Sequence, residues 1–134
     1  MGNFGAYKGI RVVELTEGIA GPYATRFMAD QGADVIKSET TVGDHYRSDP
    51  GFQVLNRNKR SVVLEDDSRL LQSADVIVVD SSSEADRARS IAPGSVIISM
   101  PTWGSSGPLA DQQGSWEQVA AATGISWNQV SWTE

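Results

Sequence analysis

The sequence predicts an α/β fold in which a parallel sheet carries helices on both faces. Three observations predict it. Short β-branched runs recur at residues 11–15, 34–39, 61–65, 75–80 and 95–100. Turn-punctuated, helix-compatible stretches separate them, the alternation typical of parallel sheets. The runs are apolar on both faces, most continuously at Asp75-Val76-Ile77-Val78-Val79-Asp80, as strands covered from both sides must be. Crossovers between them are expected to be right-handed.

The elements follow in order. Arg11-Val12-Val13-Glu14-Leu15 is the first strand. Gly21-Pro22 breaks the chain and opens a helix over residues 23–31, with proline suited to a first helical turn. Ala24, Phe27 and Met28 stand at i, i+3 and i+4 and predict its apolar face, and Gly32 closes it. Residues 34–39 form the second strand. Residues 40–54 are polar, carry Gly43, Pro50 and Gly51, and read as a long loop of the kind that is usually functional or mobile. The third strand is 61–65, a turn or two of helix covers 68–73, and the fourth strand is 75–80. Ser81 to Ser83 cap a short polar helix over 84–91, and Pro93-Gly94 turns the chain into the fifth strand, 95–100.

After Met100 the texture changes. Residues 101–114 are rich in Gly, Ser and Gln, and Trp103-Gly104-Ser105-Ser106-Gly107-Pro108 is a turn-rich loop. Residues 116–123 predict a helix with Val119, Ala120 and Ala122 inside, ended by Gly124. Residues 1–100 thus read as the domain core. Residues 101–134 read as a loop, a helix and an aromatic segment that begins a further region. Trp103, Trp116, Trp127 and Trp132 are expected to bury against structure outside this chain, since large aromatics seek a partner surface.

Composition narrows the function classes. The 134 residues make one domain's worth of chain. The net charge of −6 argues against general nucleic-acid binding, which favours a basic excess. With no cysteine, thiol catalysis, disulfides and thiolate metal sites are excluded; with one histidine, so is a site built mainly from imidazoles. No apolar run approaches the about 20 residues of a membrane span, and the N-terminus has no signal-peptide core, so a cytoplasmic protein is expected.

Three stretches combine into a candidate pocket for an anionic, nucleotide-like ligand. The second strand runs into a Gly43-Asp44 turn that presents Arg47. The loop from Glu17 to Pro22 follows the first strand, where parallel folds hold ligands, and Gly21 with the helix start could receive an anionic oxygen. Asn56-Arg57-Asn58-Lys59-Arg60 enters the third strand, and its cations suit charge-assisted bonds to phosphate. Lys37, inside a strand, reads equally as a structural ion-pair partner. His45 reads as an exposed loop histidine rather than an acid-base group, which would need a base close to the reacting atom. Asp111 and Glu117 read as surface charges.

The ordered motifs resemble family III CoA-transferases, the group of formyl-CoA transferase, carnitine CoA-transferase and α-methylacyl-CoA racemase. The resemblance runs from Gly9-Ile10-Arg11-Val12-Val13-Glu14-Leu15 through Ala20-Gly21-Pro22 and Gly32-Ala33-Asp34-Val35-Ile36-Lys37 with Glu39. It continues with Gly43-Asp44 and Arg47, then Asn56 and Lys59-Arg60-Ser61-Val62, then Ala74-Asp75-Val76-Ile77-Val78. Ser99, Gly104, Gly107-Pro108 and Ala121-Ala122-Thr123-Gly124 complete it. It implies a Rossmann-like CoA-binding domain belonging to a polypeptide about three times as long, whose protomers interlock. Ala20, Gly21, Arg47, Asn56, Lys59 and Arg60 are the implied contacts to CoA, a thioester substrate rather than a tightly bound cofactor. No catalytic or metal-binding residue is implied within the chain, because the transferase aspartate lies beyond Glu134. The histidine-aspartate pair of the racemases is replaced by Ser115-Trp116. The family's Glu-Asn-Phe-Arg-Pro-Gly turn after the fourth strand reads Val79-Asp80-Ser81-Ser82-Ser83-Glu84 here, without arginine and with acids that repel polyphosphate. The expected partners are acyl-CoA or CoA and the remaining part of the enzyme or a second copy in a homo-oligomer, with neither nucleic acid nor membrane. The alternative is a degenerate, non-catalytic module acting as scaffold or oligomerisation domain.

Overall fold

The computed structural model describes residues 5–125. The chain divides into two compact units, Met1–Met100 and Pro101–Glu134. The first contains β1 (Arg11–Glu14), α1 (Ala20–Asp30), β2 (Asp34–Glu39), a 3₁₀ turn (His45–Ser48), α2 (Gly51–Leu55) and β3 (Arg60–Val63). It continues with α3 (Ser68–Gln72), β4 (Val76–Val79), α4 (Ser82–Ile91) and β5 (Val96–Ser99). The second contains α5 (Trp116–Ala122).

All strand pairs are parallel, in the order β3-β2-β1-β4-β5. Successive residues of the central strand β1 serve opposite faces. Val13 joins Leu71, Ile77, Val79, Ala85 and Ala88 in a core beneath α3 and α4. Val12 joins Ala29, Ala33, Val35 and Val78 in a second core beneath α1. Covering of both faces therefore holds for the inner strands. The edge strands are different: β3 is largely exposed, and Val96 of β5 keeps 60% of its surface in solvent.

Two helical readings need correction. α1 begins at Ala20, and its inward residues are Gly21, Pro22, Thr25 and Ala29. Ala24 and Phe27 face solvent, the Phe27 ring meeting Tyr23 edge-on with centroids 5.0 Å apart. The face is rotated because Thr25 turns inward to bond a buried carboxylate. Nor is 40–54 a structureless loop. The Asp44 carboxylate accepts from the Tyr46 amide at 2.8 Å and Asp49 from the Gly51 amide at 2.6 Å, side-chain turns that start the 3₁₀ turn and α2. In α4, Ser81 caps the helix by accepting from the Glu84 amide at 3.2 Å.

In the second unit the Ser115 amide donates to Gln118 Oε1 at 2.8 Å at the start of α5, and Gly124 ends the helix at φ 75°. Ala120 is buried while Ala122 is exposed. Trp103 packs against Gly114, where a side chain would collide with its indole, and Trp116 is 60% exposed. Trp127 and Trp132 lie outside the described residues. Among the described residues no helix is long and apolar enough to cross a membrane.

Candidate functional site at the carboxyl edge of the sheet

The strand order reverses beside β1, between β1 and β4, and in open parallel sheets that reversal opens a crevice at the carboxyl ends of the strands. The β1–α1 loop lies over it. Leu15 donates its amide to Val78 O at 2.9 Å, and the Glu17 amide donates to Asp80 Oδ2 at 3.0 Å across the reversal.

Beneath this loop lies a buried polar cluster. Glu14, Thr16, Thr25, Lys37 and Asp44 are at most 3% exposed. Glu14 ends β1 directly opposite Lys37 of β2, so the strand register brings these two charges together. One Glu14 oxygen accepts from Thr16 Oγ1 at 3.1 Å and Lys37 Nζ at 3.2 Å. The other accepts from Thr25 Oγ1 at 2.5 Å and Lys59 Nζ at 2.8 Å. Lys37 also donates to Thr16 O at 2.5 Å and faces Asp44 Oδ2 at 3.0 Å. Lys59 also donates to Pro22 O at 2.9 Å and Asn56 Oδ1 at 3.0 Å.

Two ammoniums and two carboxylates thus balance in charge, and such burial is tolerable only when every member is paired. Burial presses Lys59 below the ordinary lysine value, and its attraction to Glu14 recovers only part of this. Burial opposes the Lys37 charge as well, but Glu14 and Asp44 together outweigh it and hold that ammonium above the ordinary value.

A second pairing forms the rim. Arg47 Nε and Nη2 reach the two oxygens of Glu39 at 2.8 and 2.6 Å, and Ser61 Oγ and the Asp44 amide also donate to that carboxylate. Burial alone would raise the Glu39 pKa; the bonds from Arg47, Ser61 and the Asp44 amide outweigh it and draw it down to about 2. His45 Nδ1 lies 2.8 Å from Glu17 Oε2, and its ring is exposed as expected. Glu17, Asp44 and His45 offer ligand atoms within 4.8 Å of one another. Lys37 already brings a positive charge to Asp44, however, so the donor set does not call for a cation.

The six expected CoA contacts are only partly brought together: Lys59 meets Asn56 and the backbone beside Gly21, while Arg60 lies elsewhere. Ala20 and Arg47 are exposed, Ala20 at the end of the β1–α1 loop and Arg47 beside the end of β2. Gly21 is buried, and the space a side chain would fill there is occupied by Thr16, so its lack of a Cβ serves packing. Lys59 is enclosed with three acceptors for its three protons, and Asn56 bonds inward to Lys59 and to Phe52 O. Lys59 thus has no donor left for phosphate, whereas Asn56 keeps one N–H of its side-chain amide. Arg60 lies at the amino edge, bonded to Asp34, which also takes Arg11. A groove of about 710 Å³ opens on that amino edge, lined by Gly9, Arg11, Gly32, Asp34, Asn58 and Asp75 among others. It lies at the opposite end of the strands from the crevice. Arg57 and Asn58 bond Asp30. Sequence reasoning missed Glu14; the signal available was an acid at an inward position of an apolar strand, answered by a lysine in the next.

An open parallel sheet with a polar loop across its reversal point defines the class of doubly wound α/β ligand-binding domains. Comparison with known proteins makes this more specific. The sequence profile of CoA-transferase family III matches residues 7–131. The chain is 41% identical over 95 residues to succinyl-CoA:mesaconate CoA-transferase of Haloarcula hispanica, covering 55% of this chain and 24% of that protein. It is 35% identical over 146 residues to formyl-CoA:oxalate CoA-transferase of Streptomyces avermitilis, covering 90% and 35%. Among solved structures, Rv3272 of Mycobacterium tuberculosis superposes with a TM-score of 0.80 at 27% identity, covering 92% of this chain and 40% of that one. A CAIB/BAIF family protein from Brucella suis gives 0.80 at 28%, covering 91% and 40%. The chain belongs to the family III CoA-transferases. It spans well under half the length of each of these relatives.

Proposed function

We propose that this chain is the N-terminal part of a family III CoA-transferase and supplies part of its CoA site at the carboxyl edge of the sheet. The whole enzyme moves CoA from an acyl-CoA to a free carboxylate, releasing the donor's acid and forming a new thioester. The observation that carries this reading is the family match across residues 7–131, joined to a sheet whose reversal point is spanned by an exposed loop. CoA is a substrate here, not a resident cofactor, and a cytoplasmic setting is part of the same proposal. Ala20 and the half-exposed Arg47 are the implied contacts best placed to meet it. The reacting aspartate belongs to the remainder of the enzyme, so the chain alone is expected to bind without turning over. Its partners are that remainder and further copies in a homo-oligomer.

Calorimetric titration of CoA and acetyl-CoA into the chain tests this. Binding is expected to weaken with salt, as exposed ionic contacts do, and with Arg47→Ala but not with Arg60→Ala. A folded protein that binds neither ligand overturns the reading. One contact favours the second reading, a degenerate non-catalytic module acting as scaffold or oligomerisation domain. The Asp80 carboxylate already takes the Glu17 amide at the reversal point, and a carboxylate there opposes an incoming phosphate.

A further inference from the structure

The β1–α1 loop is tied at both ends to the same buried carboxylate. At its start, Lys37 Nζ donates to Thr16 O at 2.5 Å and to Glu14 Oε1 at 3.2 Å. Just past its end, in the first turn of α1, Lys59 Nζ donates to Pro22 O at 2.9 Å and to Glu14 Oε2 at 2.8 Å. The two lysines come from β2 and from the approach to β3, so neither belongs to the segment it holds. Between the anchors the loop takes a conformation that needs help. Gly18 has φ 75°, with the Tyr46 ring 3.6 Å from the position a Cβ would take, and Ile19 starts α1 without a side-chain cap. Of the other side-chain ties, Thr16 Oγ1 to Glu14 at 3.1 Å and Thr25 Oγ1 to Gly21 O at 3.0 Å are buried and converge on the same carboxylate, while Glu17 to His45 and Glu17 to Asp80 are exposed and screened by solvent.

We propose that Lys37 and Lys59 are positioning residues, a two-ended clamp on Glu14 that sets the β1–α1 loop for the acyl-CoA of the proposed function without touching it. As regards the ligand, this rests on that reading; as regards the loop, it does not. Two lysines are needed for a reason of reach. One ammonium could neutralise Glu14, but two, one from β2 and one from the approach to β3, reach both Thr16 O and Pro22 O. The clamp acts by population: if the loop keeps its binding geometry only a tenth of the time, apparent affinity falls about tenfold.

The test compares Lys59→Met with Leu71→Ala, a cavity in the opposite core that meets the loop at Leu15, ahead of the amides followed here, and weakens the fold without removing either lysine anchor. Hydrogen exchange is followed at the amides of residues 17–21 in the absence of ligand, and CoA affinity by calorimetry. The clamp predicts that Lys59→Met speeds exchange at these amides by about tenfold or more while β4 amides lag, and weakens CoA about tenfold. Leu71→Ala is expected to spare both the loop amides and the affinity. If Lys59→Met does not fold, Lys59→Gln, which keeps an N–H but no charge, carries the same comparison. A folded variant with unchanged loop exchange overturns the clamp. A wild-type chain that does not bind CoA overturns the proposed function instead, and the exchange comparison still decides the clamp.

Discussion

Glu14 shows how one residue organises this site. Each of its oxygens takes one hydroxyl and one ammonium, and the whole group is shut away from water. Glu14→Gln leaves two ammoniums facing Asp44 alone. We expect a loss of about 3–5 kcal/mol, read as a lower urea midpoint, with a loss under about 1 kcal/mol contradicting the pairing. Gly21 is a steric case. Gly21→Ala drives a methyl into the Thr16 side chain, and denaturation should show a loss of about 1–3 kcal/mol.

Glu39 gives a pH dependence. Its carboxyl titrates near 4.5 when unfolded and at about 2 when folded. The folded state therefore binds fewer protons between those values, and the stabilisation is complete above the first and lost as pH falls through the second. Glu39→Gln should remove that component, flattening the fall in urea midpoint below about pH 4.5; an unchanged slope would contradict the assignment.

Charges were the hardest residues to read from sequence. Lys59 and Arg60 look alike as a basic pair before a strand, yet one turns into the core and the other pairs with Asp34 at the amino edge. Alternation along an edge strand sends neighbours to opposite sides, and sequence does not say which acid waits there. Lys37 left both roles open, and its place opposite Glu14 resolves it as an ion-pair partner.

At the scale of elements, the strands were legible because β-branched runs between turn residues have few alternatives. The structure keeps β2 as read, trims β1 by a residue at one end and β4 and β5 by a residue at each, and shifts β3 from 61–65 to Arg60–Val63. What hid was local polar chemistry. The 3₁₀ turn and α2 grow from Asp44 and Asp49 turning back on the backbone, within a stretch whose glycines and proline read as a loop. The face of α1 was misjudged for a related reason: Thr25 looks like a surface residue until its hydroxyl meets Glu14. The Ser81 cap of α4 was visible, being a serine before a short polar helix. Ser81→Ala should lower stability by about 1 kcal/mol, and thermal unfolding would show it; no change would mean the Glu84 amide finds another acceptor.

The whole molecule carries net charge −6, yet the chain belongs to a family whose substrates are polyanionic thioesters. The balance is struck locally. Most described cations are paired with acids; Arg47 is among them, but half of its side chain stays exposed, and with the β1–α1 loop it forms the proposed surface for an anion. The fold was legible because several ordered motifs name it together. The site was legible only in outline, since the six implied contacts divide between exposed, buried and opposite-edge positions. Chemical-shift mapping of CoA on the isotopically labelled chain tests the central claim most directly. Ligand-induced shifts are expected to concentrate at residues 15–20 and 43–47, at the carboxyl edge. Shifts centred instead on Gly9, Asp34 and Arg60, or none at all, would contradict it.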